Sequence, residues 1–73
     1  MGNTITVIDF TERAGSLYID VEVFDAAQNS LYRKEVRFLD DLLYGDLVHA
    51  SRSPLTEGCR KETVEYLKTY FNR

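Results

Sequence analysis

Residues 17–24 read Leu17-Tyr18-Ile19-Asp20-Val21-Glu22-Val23-Phe24. Leu17, Ile19, Val21 and Val23 fall on one side of an extended chain, and Tyr18, Asp20, Glu22 and Phe24 on the other. A period of two with branched aliphatics on one side marks a strand that covers a core with one face only. The rest of the chain is placed by reference to this strand.

Downstream, Asp25–Asn29 is a polar connection, and Ser30–Phe38 alternates again. Tyr32, Lys34, Val36 and Phe38 share one face; Leu31, Arg33, Glu35 and Arg37 share the other. With Leu17 opposite Phe38, Ile19 meets Val36 and Val23 meets Tyr32 on the buried side. Outside, Glu22 meets Arg33 and Tyr18 meets Arg37. Asp20 is then left against Glu35, a mildly unfavourable like-charge pair. A two-residue slip would set Asp20 against Arg33 instead. Both registers keep the same faces, so the pattern leaves them open.

Upstream, Arg13-Ala14-Gly15-Ser16 supplies a turn, and Thr4–Thr11 is rich in β-branched residues. This first strand does not alternate cleanly. Ile5 and Val7 lie to one side, Ile8 and Phe10 to the other. If Ile8 and Phe10 join the core, Ile5 and Val7 cluster outside with Tyr18, Phe24 and Leu31. A β-bulge, or a chain segment folded over that face, would instead bury the extra apolar side chains.

The second half reads as helix. Leu39, Leu42, Leu43 and Leu47 recur at helical spacing, and Asp40 and Asp41 suit a first turn, although Gly45 interrupts the segment. Ser51–Pro54 is a break. A longer helix follows, starting between Ser53 and Gly58, with Ser53 or Thr56 as its cap. Val64, Leu67 and Phe71, flanked by Tyr70, make its apolar stripe; Glu57, Lys61, Glu65 and Lys68 make its solvent face. The expected architecture is α+β. A three-stranded antiparallel sheet is followed by a short helix and a longer C-terminal helix, both packed on one face.

Composition sets the limits around this fold. The 73 residues include one cysteine, no tryptophan and a net charge of −3, which implies a single small domain over residues 1–73. A chain of this size buries only about 60% of its unfolded surface. Cys59 has no disulfide partner, and Cys59 with His49 cannot complete a structural zinc site. No apolar run is long enough to span a membrane, no secretory leader is visible, and the reduced cysteine fits a cytoplasmic protein. Met1–Thr6 matches the loose N-myristoylation pattern at Gly2, without the polybasic stretch that usually accompanies it.

Little chemistry is written into the residues. His49 and Cys59 form no catalytic constellation, since no third group or glycine-rich oxyanion loop accompanies them. Cys59 reads as a small residue near a helix start; the alternative is that the helix N-terminus with Arg60 and Lys61 lowers its thiol pKa and makes it redox-sensitive. Asp40, Asp41 and Asp46 lack the spacing of a calcium loop. The expectation is a chain without catalysis, cofactor or metal. Tyr18, Phe24, Arg33 and Arg37 on an open sheet could stack nucleic-acid bases, but Asp20, Glu22 and Glu35 on the same face repel phosphate.

What remains is a semi-apolar sheet face bordered by acids and arginines. It has the character of a protein-binding surface. The expected contacts are Ile5, Val7, Tyr18, Asp20, Glu22, Phe24, Leu31 and Arg33. The expected partner is a protein target or a second copy of the chain, met through the open face or the first-strand edge. Size and acidity fit an inhibitor or regulator of the kind phages and mobile elements encode. Asp20, Glu22, Asp40, Asp41 and Asp46 could then occupy a basic surface on the target. A homo-oligomeric structural or regulatory subunit and a nucleic-acid-binding module are the alternatives.

Overall fold

The computed structural model describes residues 2–73; the first residue of the Met1–Thr6 pattern lies outside them. Four strands come first: β1 (Thr4–Arg13), β2 (Ser16–Asp25), β3 (Ser30–Leu39) and β4 (Leu42–Tyr44). A 3-10 turn (Asp46–Val48) and one helix, α1 (Glu57–Tyr70), follow. The sheet is an antiparallel meander in the order β1-β2-β3-β4. The fold is therefore α+β, with four strands where the sequence suggests three and one helix where it suggests two.

Tight hairpins build the sheet. Ala14 and Gly15 both take positive φ between β1 and β2, the mirror-image geometry that matches strand twist. Asn29 takes positive φ at the end of the β2–β3 loop. In the β2–β3 pair, Leu17 faces Phe38 and Asp20 faces Glu35. This is the register that leaves the like charges opposed. Arg33 removes the cost by reaching diagonally to Asp20, with Nε–Oδ1 at 3.1 Å and Nη2–Oδ2 at 2.6 Å. The ion pair that the slipped register would supply is thus made without the slip.

The segment 39–47 is the main departure from the sequence reading. Asp40 takes positive φ (57°), and the chain turns back so that Leu39 faces Leu42 and Phe38 faces Leu43. Leucines at 39, 42 and 43 suit a hairpin as well as a helix. Gly45 decides between them. Its φ is 144°, outside any helix, and a Cβ there would sit 3.0 Å from Val36 Cγ1 and 3.2 Å from Val36 Cα. Only glycine lets the chain leave β4 so close to β3.

The core lies under the inner face of the sheet. Ile5, Leu17, Ile19, Val21, Val23, Val36 and Phe38 come from the strands; Leu47, Val48, Leu55, Cys59 and Leu67 come from below. On α1 the fully buried positions are Cys59, Thr63 and Leu67, one every four residues, while Val64 and Phe71 pack at the margin. The stripe thus centres one position earlier than the Val64–Leu67–Phe71 reading. Thr63 is admitted because its hydroxyl donates to the Cys59 carbonyl at 2.8 Å.

A buried carboxylate joins the two layers. Asp25 has no exposed surface and ends β2. Its oxygens accept from the Ala27 amide (3.1 Å), Gln28 Nε2 (2.9 Å), the Thr56 amide (2.7 Å) and the Thr56 hydroxyl (3.0 Å). Thr56 is the N-cap of α1, but its hydroxyl is spent on Asp25 rather than on the helix. Ser53, the other candidate cap, sits in the preceding turn, where it donates to the Leu47 carbonyl at 2.6 Å. Asn3 adds a second tie, accepting from the Ala26 amide and donating to Glu62 of α1. Burial pushes the Asp25 carboxyl up, but the amides and hydroxyl around it outweigh burial and hold it below the ordinary aspartate value.

Two outcomes follow from this packing. Gly45→Ala is expected to cost about 1–3 kcal/mol in urea unfolding, from positive-φ strain and the Val36 contact together; an unchanged midpoint would refute the steric account. A depressed aspartate contributes stability above its unfolded pKa of about 3.9 and loses it as pH falls through the folded value. Asp25→Asn should therefore cost about 2–3 kcal/mol at pH 7 and flatten the loss of stability below pH ~4. Equal acid slopes in the two proteins would count against the hub.

Candidate functional site

The outer face of the sheet can be read row by row from the strand pairings. At one end Thr4, Phe24 and Leu31 lie side by side, followed by Thr6, Glu22 and Arg33. The middle row is Asp9, Asp20 and Glu35. Next come Thr11, Tyr18, Arg37 and Tyr44, and the last row is Arg13, Ser16, Leu39 and Leu42. α1, the 3-10 turn and the chain between them supply the core under the inner face. Among the described residues, nothing packs over the outer one.

Six of the eight residues expected at a partner surface are on this face: Tyr18, Asp20, Glu22, Phe24, Leu31 and Arg33. Ile5 and Val7 are not. The β1–β2 register steps from Val7↔Val21 to Asp9↔Asp20, so Ile8 is an extra, unpaired residue. This bulge resets the alternation. Ile5 faces Val23, Val7 faces Val21 and Phe10 faces Ile19, all toward the core. Ile5 is buried and Val7 packs against the core margin. Both flanks of the irregular strand thus turn to one face, although Phe10, at the sheet margin, stays exposed together with the unpaired Ile8.

Charge divides the outer face. Asp9, Asp20, Glu22 and Glu35 form an acidic band across the middle, answered locally by Arg33. The Arg33 fork holds the Asp20 carboxyl below its usual range, and the carboxylate in turn holds the Arg33 guanidinium further up. On one side of the band stand Phe24 and Leu31. On the other stand Tyr18, Tyr44, Leu39 and Leu42, with the Arg13 guanidinium 5.7 Å from the Tyr18 ring centre and that of Arg37 5.6 Å from Tyr44. These are cation–π distances. A shallow depression of about 230 Å³ opens there between Tyr18, Glu35, Arg37, Tyr44 and Gly45. It is smaller and flatter than the clefts that enclose small-molecule ligands.

Tyr44, Leu39 and Leu42 were not legible as surface residues while 39–47 read as helix. The Asp40-Asp41 pair between Leu39 and Leu42, followed by Gly45, is the hairpin signal that would have exposed them.

The other candidate groups are far from any joint chemistry. His49 is exposed, and its Nδ1 accepts from the Ser51 amide at 3.0 Å. Cys59 is sealed in the core. Burial, with Asp25 and Glu62 nearby, pushes its thiol pKa up despite the Thr63 hydroxyl. This reverses the lowered value suggested by a helix start beside Arg60 and Lys61, because the sulfur points inward and those cations do not. Asp46 is engaged by Arg52 at 3.9 Å. Among the described residues, no three His, Cys, Asp or Glu side chains gather as metal ligands, and no helix is long and apolar enough to cross a membrane.

No protein-family model, curated protein or solved structure matches the chain.

Burial of Cys59 is directly measurable. Ellman's reagent should label the native thiol at least ~100-fold more slowly than the urea-unfolded one, at a rate set by opening of the fold. Labelling as fast as in urea would place the sulfur at the surface.

Proposed function

We propose that this chain is a non-catalytic protein-interaction module and that its working surface is the outer face of the sheet. The Tyr18–Arg37–Tyr44 row carries the reading, together with Leu39 and Leu42 beside it. Tyrosine and arginine are the side chains most enriched where protein interfaces concentrate their binding energy. Here both lie on a hydrogen-bonded sheet, and the cation–π contacts hold the guanidinium groups over the rings before any partner arrives. Leu39, Leu42 and Tyr44 are all substantially exposed, so apolar area is there to be covered.

The acidic band beside this cluster gives the partner a character. A protein with an apolar anchor for the Tyr18–Tyr44 end and a basic rim for Asp9, Asp20, Glu22 and Glu35 would meet both halves of the face. Occupying a basic surface in this way is how a small acidic inhibitor or regulator would act. The same band disfavours nucleic acid as the ligand, since phosphates would have to cross it.

The reading is tested by affinity capture from the source cell with wild-type protein, a Leu42→Ser/Tyr44→Ala variant and a Lys61→Ala control on the far side of α1. Circular dichroism first establishes that all three are folded. A specific partner should be captured by wild type and control and be lost, or weakened at least about tenfold, with the double variant. Equal capture by all three would remove the outer face as the working surface.

A further inference from the structure

A second unpartnered surface lies at the opposite edge of the sheet, where β1 meets α1. Large apolar side chains are exposed along it: Ile8, Phe10 (51%), Tyr66 and Tyr70 (52%). All but Ile8 are linked through Phe71 in one aromatic chain. Tyr66 stacks on Tyr70 at 5.9 Å, Tyr70 touches Phe71 at 4.8 Å, and Phe71 meets Phe10 edge-on at 5.2 Å. Glu62, Tyr66 and Tyr70 follow at four-residue spacing on α1, and Glu62 is bonded to Asn3 just before β1. The tyrosines therefore flank the strand edge.

The backbone of that edge is also open. The two-residue Ala14–Gly15 turn makes Arg13 and Ser16 a hydrogen-bonded pair, and alternation then turns Thr11 and Asp9 toward β2. Phe10 and Glu12 are left with N–H and C=O groups directed away from the sheet. Consistent with this, the Phe10 amide donates to its neighbour's carboxylate, Asp9 Oδ1, at 2.8 Å. A side chain stands in where a strand is missing.

We propose that a second copy of this chain fills the place, with the two β1 edges pairing antiparallel over Asp9–Arg13 and Thr11 on the two-fold axis. The register follows from charge and hydrogen bonding. With Thr11 facing Thr11 of the second copy, Asp9 faces Arg13 twice on the outer side. Phe10 and Glu12 become mutual hydrogen-bonded partners, so all four outward-directed backbone groups on each chain are paired. The two Phe10 rings stand diagonally across the axis, within reach of each other and of the Tyr66–Tyr70 stacks. The bulge at Ile8 and the Ala14–Gly15 turn bound the ladder at its two ends.

The free stretch of β3 beyond β4 offers no such pairing. Antiparallel self-association centred on that stretch sets Arg33 against Arg33 or Lys34 against Lys34, and such lysines guard edges against association. The dimer shares Asp9 and Arg13 with the outer face but leaves the Tyr18–Arg37–Tyr44 row, Leu39 and Leu42 uncovered, so loss of self-association and loss of partner capture are separable outcomes.

Sedimentation equilibrium between about 1 µM and 1 mM tests the dimer. A five-residue ladder with an aromatic flank is a small interface, and a dissociation constant of about 1–100 µM is expected. Mass should rise toward twice the 8.5 kDa of the chain. Arg13→Glu should weaken association at least about tenfold, and Asp9→Lys/Arg13→Glu should restore it. In a second experiment Thr11→Cys should form an intermolecular disulfide under mild oxidation, and Thr6→Cys should not. Facing residues of a non-hydrogen-bonded pair lie at disulfide distance. A monomer throughout the range overturns the proposal. So does a dimer that Arg13→Glu leaves intact, or one in which the two cysteine variants cross-link equally.

Discussion

The carboxylate of Asp25 is the point on which this small structure turns. It ends the central strand, starts the β2–β3 loop and receives the first residue before the helix, all through one buried side chain. An ionised group in such a place is tolerable only when every lone pair is answered. The four donors around it do this, and among the described residues no buried side-chain polar atom lacks a partner. Gln28 extends the cluster by donating to the Pro54 carbonyl and accepting from the Tyr32 hydroxyl. The sheet and the chain below it are thus held in one relative position by polar geometry, while the apolar core supplies the driving force. For a chain whose one cysteine is free and buried and whose described residues gather no metal-ligand cluster, that combination supplies the support its size calls for.

The far end of the molecule is closed differently. Arg73 donates to the Asp40 carbonyl at 2.8 Å, approaches Glu12 at 3.8 Å and lies 5.6 Å over the buried Phe38 ring. One side chain therefore spans β1, the β3–β4 turn and the end of α1. With both ends tied, the sheet presents two distinct surfaces to the surroundings. The outer face sets an acidic band beside a tyrosine–arginine row. The β1 edge is apolar and short of a strand. If both proposals hold, one surface for a partner and another for a second copy would let concentration regulate binding.

Legibility in the sequence followed the regularity of the pattern. β2 and β3 alternate without interruption, so their faces and both candidate registers could be read directly. The choice between registers could not be read, because the Asp20–Arg33 ion pair is available in either: straight across after a slip, or diagonally as found. β1 mixed two alternations because one residue, Ile8, is extra. The candidate site inherited that ambiguity. Its β2 and β3 members lie on the outer face, whereas Ile5 and Val7 belong inside. Leu39, Leu42 and Tyr44 do not read as sheet residues, since leucines at 39, 42, 43 and 47 satisfy a helical period as well as a hairpin.

Side-chain period and turn residues, which are local properties, were enough to determine an antiparallel sheet with one apolar face, a C-terminal amphipathic helix and an acidic surface. Only the tertiary structure decided where strand periodicity breaks, whether 39–47 coils or extends, and which way Cys59 and Asp25 point. Those outcomes depend on contacts between residues distant in sequence. The approach of Gly45 to Val36 excludes the helix, and the reach of Thr56 to Asp25 buries a charge that the linear chain would leave in water. The exposed face and the open edge are likewise remainders, defined by what the core and its polar ties leave uncovered.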